Sequence, residues 1–100
     1  MKFFFADEKK NKNIFALLRR AGYAIEKNTD AAKSFARPLG YSSFPRFHIY
    51  LNETNDGWEI NLHLDQKRPS YEGSSAHAGE YEGGAVEKEA ERLKQDLTLA

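Results

Sequence analysis

Three histidines and two acidic residues of this chain have the types and spacing of a metal site: His48, His63, Asp65, His77 and Glu80. Imidazole nitrogens and carboxylate oxygens bind divalent ions such as zinc, nickel and manganese. The chain has no cysteine, so a metal site would use these groups. We predict that the three histidines and Asp65 are ligands, and that Glu80 or Asp65 handles a proton in metal-assisted hydrolysis.

The same residues also have a purely structural interpretation. On an exposed strand, His63 would hydrogen-bond Tyr50 or Asn61. Asp65 has basic neighbours with which it would form a surface ion pair of little energetic value: Arg46, Lys67 and Arg68. Only the relative positions of the side chains distinguish this interpretation from the metal site.

A β-hairpin over residues 46–65 is predicted to position His48, His63 and Asp65. Apolar and polar residues alternate in both arms, and Asn55-Asp56-Gly57 supplies turn chemistry between them. The apolar side chains are Phe47, Ile49 and Leu51 in the first arm and Trp58, Ile60, Leu62 and Leu64 in the second. Two registers bury both apolar faces: His48 lies opposite His63 or opposite Asp65. In either register the polar face carries His48, His63 and Asp65, and the fourth predicted ligand, His77, lies in the loop that follows.

Two amphipathic helices flank this hairpin. One is predicted over residues 11–21, where Asn11 or Asn13 caps the start and Gly22 ends the helix. The second is predicted over residues 85–98, and a loop over residues 66–84, rich in glycine and serine, leads to it. The apolar stripes contain Ile14, Leu17, Leu18 and Ala21 in the first helix, and Val86, Ala90, Leu93 and Leu97 in the second.

The remaining elements are weaker. Residues 23–26 are predicted to form a short strand, residues 3–5 a strand or an apolar plug, and residues 34–40 an extended segment. The order is therefore α-β-β-β-α. It predicts an α+β two-layer sandwich, in which both helices cover one face of a small antiparallel sheet and the histidines lie on the open face.

The composition is typical of a soluble globular protein. One hundred residues, 40% of them hydrophobic, fit a single domain over residues 1–100. No apolar run has the length of a membrane span, and the absence of cysteine fits a cytoplasmic protein. We therefore expect a soluble cytoplasmic protein with no membrane partner, whose substrate would be a small molecule or structured RNA.

The first helix and the strands after it resemble a family of RNA-acting proteins. Residues 17–23 read Leu-Leu-Arg-Arg-Ala-Gly-Tyr, and His48 follows in a strand. This pattern resembles HicA-type toxins, which are small ribonucleases, and double-stranded-RNA-binding domains. The resemblance implies an RNA-binding or ribonuclease role with His48 as a candidate nuclease residue. The Gly-Ser-His that precedes the family's catalytic position is replaced here by Arg46 and Phe47.

Two further functions are compatible with the residue types. RNA binding would use basic side chains on phosphates and a tyrosine for stacking: Arg19, Arg20, Arg37, Arg46, Lys67, Arg68 and Tyr50. A zero formal net charge argues against extensive phosphate binding. A protein-protein interaction module without catalysis would instead use the five tyrosines or an exposed strand edge.

Overall fold

The computed structural model describes residues 1–66, 79–80 and 83–98. Its elements in chain order are β1 (Lys2–Ala6), α1 (Ile14–Arg20), β2 (Ala24–Asn28), β3 (Lys33–Pro38), β4 (Arg46–Thr54), β5 (Gly57–Asp65), β6 (Gly79–Glu80) and α2 (Gly84–Thr98). All strand pairs are antiparallel. The predicted α+β class is confirmed.

The sheet is larger than the sequence predicted. Within the described residues it has six strands in the order β1-β5-β4-β3-β2, and β6 pairs with β5 next to β1. The segment over residues 3–5 is a strand rather than a plug, and residues 34–40 contribute β3. Both are short, so they become strands because longer neighbours supply hydrogen-bond partners and an apolar face.

Both helices pack on the same face of the sheet and share one core with it. The core side chains that are almost completely inaccessible come from α1, α2 and the three strands β3, β4 and β5: Ile14, Leu18, Phe35, Ile49, Ile60, Leu62, Val86 and Leu93. All except Phe35 lie at the alternating hairpin positions and helical stripes that were predicted to be apolar, and Phe35 comes from the segment predicted only to be extended. No helix among the described residues is long and apolar enough to cross a membrane.

The start of α1 differs from the sequence prediction by three residues. The buried Asp7 carboxylate accepts hydrogen bonds from the backbone N–H groups of Asn11 and Lys12, which holds them in a loop. Asn13 then caps the helix, because its side chain accepts from the N–H of Ala16 at 3.1 Å. The two candidate caps therefore have different roles: Asn13 begins the helix, while Asn11 belongs to the loop.

Candidate metal centre

The hairpin register brings the two histidines of the hairpin together. His48 on β4 lies directly opposite His63 on β5, which confirms one of the two predicted registers. Asp65 follows His63 by two residues and therefore points to the same face of the sheet. The three side chains thus converge from adjacent strands.

Asp65 contacts both rings with different oxygen atoms. Its Oδ1 lies 2.9 Å from His63 Nε2, and its Oδ2 lies 3.2 Å from His48 Nδ1. One ligand atom from each of the three residues can be chosen so that all lie within 4.8 Å of one another. Two ligands bound to one ion at ordinary distances of about 2.0–2.2 Å lie at most about 4.4 Å apart, so a small rotation of the side chains brings all three within reach of one ion.

The histidine face is not open in the way the sequence suggested. His48 and His63 are only 5% and 4% exposed. Their ring centroids lie 5.0 Å apart, and the Tyr50 ring packs against both, at 4.5 Å from His48 and 5.4 Å from His63. The imidazoles are therefore packed against one another and against Tyr50, with little of their surface in solvent.

Burial also changes the protonation of His63. Desolvation lowers the pKa of this ring and, with the nearby His48, outweighs the charge of Asp65, which acts in the opposite direction. His63 is therefore neutral at pH 7, and a neutral imidazole is the form that binds metal ions.

Sequence reasoning missed Glu26, which lies on the other side of His48. Its Oε1 is 3.1 Å from His48 Nε2, so the His48 ring lies between two carboxylates. Glu26 occupies an irregularity in β2, where the pairing with β3 shifts between Ile25 and Lys27. Such a bulge re-aims a side chain and has no short sequence signature. Only the assembled sheet reveals that Glu26 belongs to the cluster.

Arg46 joins the two carboxylates of the cluster. Its Nη1 lies 2.5 Å from Glu26 Oε2, and its Nε donates to Asp65 Oδ2 at 3.2 Å. The predicted pairing of Arg46 with Asp65 is therefore present, but in a partly buried network that includes the histidines. The structural interpretation and the metal interpretation involve the same atoms.

Four of the predicted site residues are not tested by this geometry. His77, Lys67 and Arg68 lie outside the described residues. The backbone of Glu80 pairs with Leu64 in the short contact between β6 and β5, but the described part of the chain does not include its side chain. Their roles as ligand, phosphate contact or proton carrier remain predictions.

The residues predicted to bind RNA lie in different parts of the molecule. Arg37 lies opposite Phe47, a core residue, and is therefore on the helix side of the sheet. Arg46 and Tyr50 lie on the histidine side. Arg19 and Arg20 form the last turn of α1. These described residues do not form one continuous basic surface.

Comparisons of the chain with protein-family models, curated proteins and solved structures found no match. We therefore infer the function of the chain from the geometry of the site.

Proposed function

We propose that this protein binds a divalent metal ion through His48, His63 and Asp65. The observation that carries the proposal is the convergence of three nitrogen and oxygen donors within 4.8 Å, from residues that the hairpin register holds in place. Zinc, nickel and manganese accept this donor set. The ligands lie on two paired strands, so little conformational entropy is lost when the ion binds.

The contacts of Asp65 indicate how an ion would enter. Each oxygen of Asp65 lies within hydrogen-bond distance of one histidine nitrogen. A divalent ion would bind between the same nitrogen and oxygen atoms. A neutral imidazole would then carry its single proton on the nitrogen that does not bind the ion.

Charge in the cluster favours a cation. When both histidines are neutral, Glu26 and Asp65 contribute two negative charges and Arg46 one positive charge, which leaves one negative charge. Arg46 lowers the attraction of Asp65 for a second cation, but it also fixes the orientation of both carboxylates. Three protein ligands would leave a coordination position for water, which is the arrangement that metal-assisted hydrolysis uses.

The test is binding of zinc, nickel and manganese to the protein purified without an affinity tag, measured by calorimetry and by thermal melting. We expect one ion to bind with a stoichiometry of one. At a free concentration of a hundred times Kd it should stabilise the fold by about 2.7 kcal/mol. Asp65→Asn should weaken binding because it keeps the shape of the side chain but removes its charge.

Asn61→Ala is the matched control, since Asn61 lies on the same face of β5, next to the cluster, and is not one of the three ligands. Its affinity for the ion should equal that of the unmodified protein. If no ion binds, or if Asp65→Asn and Asn61→Ala bind equally well, the proposal is wrong. If an ion binds as expected, the metal-loaded protein is assayed for hydrolysis of small phosphate and carboxylic esters.

A further inference from the structure

The outer edge of β1 has backbone groups available for another strand. The backbones of Met1 and Leu62 exchange two hydrogen bonds of 2.8 Å, which identifies the inward-facing positions of β1. In an antiparallel pair these positions alternate, so Lys2, Phe4 and Ala6 direct their N–H and C=O groups away from β5. Among the described residues no strand pairs with this side of β1.

The two edge strands β1 and β2 differ in how well they are protected against pairing with another chain. The edge formed by β2 has a register shift around Glu26 and charged side chains, both of which oppose pairing with another chain. The β1 edge has neither a bulge nor a proline, and its central residue, Phe4, is 53% exposed. An apolar, regular edge of this kind is suited to strand addition.

A groove beside this edge has an apolar floor and basic sides. It has a volume of about 210 Å³ and lies between β1 and the last turns of α2. Lys12 Nζ lies 5.4 Å from the Phe5 ring and Lys94 Nζ 5.4 Å from the Phe3 ring, and both lysines are exposed. Glu91 lies 3.6 Å from Lys94, but an exposed pair of this kind contributes little energy, so an acidic ligand can compete for the lysine.

We propose that the β1 edge binds an extended segment of a partner protein in which apolar and acidic residues alternate. The segment would add a strand to the sheet through the outward backbone groups of Lys2, Phe4 and Ala6. Its acidic side chains would point to the helix side, towards Lys12 and Lys94, and its apolar side chains would pack beside Phe4. Main-chain hydrogen bonds would supply affinity, and the two lysines would supply the charge preference.

Charge disfavours a second copy of this chain as the occupant. Two β1 strands paired antiparallel around Phe4 would place Phe3 opposite Phe5 of the other copy. Lys94 of one copy would then approach Lys12 of the other, twice in each dimer. Like charges placed across paired strands are destabilising, whereas an acidic segment meets the same lysines favourably.

The test uses a fluorescein-labelled synthetic peptide of alternating valine and glutamate with blocked ends, and a control peptide in which lysine replaces glutamate. Binding to the full chain is followed by fluorescence anisotropy and by amide NMR. We expect only the valine-glutamate peptide to bind. The amide signals of Lys2, Phe4 and Ala6 should shift, and affinity should fall as salt increases.

Two variants test the contacts. Phe4→Pro removes an outward N–H without removing a hydrogen bond to β5, and should weaken binding at least about tenfold. Lys94→Glu should weaken binding of the acidic peptide, while Lys88→Glu, which makes the same charge change on α2 away from the groove, should not. Thermal melts establish that each variant is folded, and Lys94→Glu tests the groove if Phe4→Pro fails to fold.

Three results would overturn the proposal. The first is equal binding of the two peptides, and the second is unchanged binding by both Phe4→Pro and Lys94→Glu. The third is concentration-dependent dimerisation, seen by sedimentation and abolished by Phe4→Pro, which would identify a second copy as the occupant. The metal site lies on different residues, so metal binding and peptide binding succeed or fail independently.

Discussion

Asp65 is the residue on which the candidate site depends. Its two oxygens contact His63, His48 and Arg46, at 2.9 to 3.2 Å. An ionised carboxylate accepts from several donors at once, so one side chain can hold two rings and a guanidinium group in fixed positions. Within the frame that the hairpin register sets, this one residue in the last position of β5 contacts the other side chains of the cluster.

Glu26 is expected to determine which nitrogen of His48 binds the ion. Its carboxylate lies 3.1 Å from His48 Nε2 but outside hydrogen-bond geometry, so its negative charge favours a proton on that atom and leaves Nδ1 for the metal. Glu26→Gln should weaken metal binding by about tenfold to a hundredfold, which is typical when a carboxylate partner of a ligating histidine is lost. The measurement is the calorimetric Kd for the ion that binds the unmodified protein.

The control for this prediction is Glu59→Gln, the same chemical change on the same face of the sheet. Glu59 lies next to Asn52 in the hairpin and is not one of the cluster residues. Its affinity for the ion should be unchanged. A Glu26→Gln variant that binds as tightly as Glu59→Gln would show that Glu26 does not position the ring.

At the scale of the elements, the β4–β5 hairpin carries the three candidate ligands. The same hairpin pairs with β1 through β5. The turn ends at Gly57, whose φ is +154°, an unusual backbone angle for a residue with a side chain. A Cβ at this position would lie 2.0 Å from the carbonyl oxygen of Phe5 and 2.8 Å from the backbone nitrogen of Asp7. The absence of a side chain at Gly57 thus allows β1 to approach the hairpin.

We therefore expect Gly57→Ala to lower the free energy of unfolding by at least about 2 kcal/mol, because β1 or the turn must shift. The melting temperature should fall by roughly 10 °C. Gly40→Ala is the control: a Cβ there meets nothing within 4 Å, and its φ lies outside the positive region. Equal stability of the two variants in urea denaturation would contradict the prediction.

An ionic cluster around the buried carboxylate of Glu89 connects distant parts of the whole molecule. Glu89 of α2 accepts from Tyr23 Oη at 2.6 Å and from Arg92 Nε and Nη2 at 2.8 Å. Arg92 also donates to the carbonyl oxygen of Ala21 at 2.9 Å, and Arg37 of β3 lies 3.9 Å from Glu89. The cluster therefore joins α2 to the end of α1 and to the sheet.

This cluster predicts loss of stability in acid. Burial would raise the pKa of Glu89, but hydrogen bonds from Arg92 and Tyr23 and the charge of Arg37 outweigh it, so the net pKa is below its ordinary value of 4.5. A lowered folded pKa contributes stability that is present above the unfolded pKa and is lost as pH falls through the folded pKa. The protein should therefore become less stable as pH decreases below about 4.5.

Glu89→Gln should remove that contribution. At pH 7 we expect a loss of about 2 kcal/mol, since hydrogen bonds to a charged group are replaced by weaker ones. The loss should diminish in acid, where Glu89 itself takes up a proton. Glu87→Gln, an exposed position in the first turn of α2, is the control. Urea denaturation between pH 3 and 7 compares them, and parallel pH profiles for the unmodified protein and Glu89→Gln would contradict the prediction.

Periodicity alone was sufficient to predict several parts of this protein. Alternation at every second residue assigns His48, His63 and Asp65 to one face, because successive strand side chains point to opposite sides. The requirement that both apolar arms meet one core then limited the hairpin to two registers, one of which the structure has. The helical stripes around Leu18 and Leu93 are likewise local patterns, and both residues are fully buried.

The position of β1 and the contact of Glu26 with His48 depend on pairing between strands that are far apart in the chain. β1 lies beside β5 rather than beside β2, and no local signal specifies a neighbour more than fifty residues away in the chain. The same is true of Glu26, which lies at the register shift in β2 and contacts His48 of β4 although β3 lies between the two strands. The metal ligands on the hairpin follow from a local repeat, whereas the carboxylate beside His48 and the free edge of β1 depend on how separate strands assemble. Chain entropy and packing of the whole sheet, not residue spacing, determine that assembly.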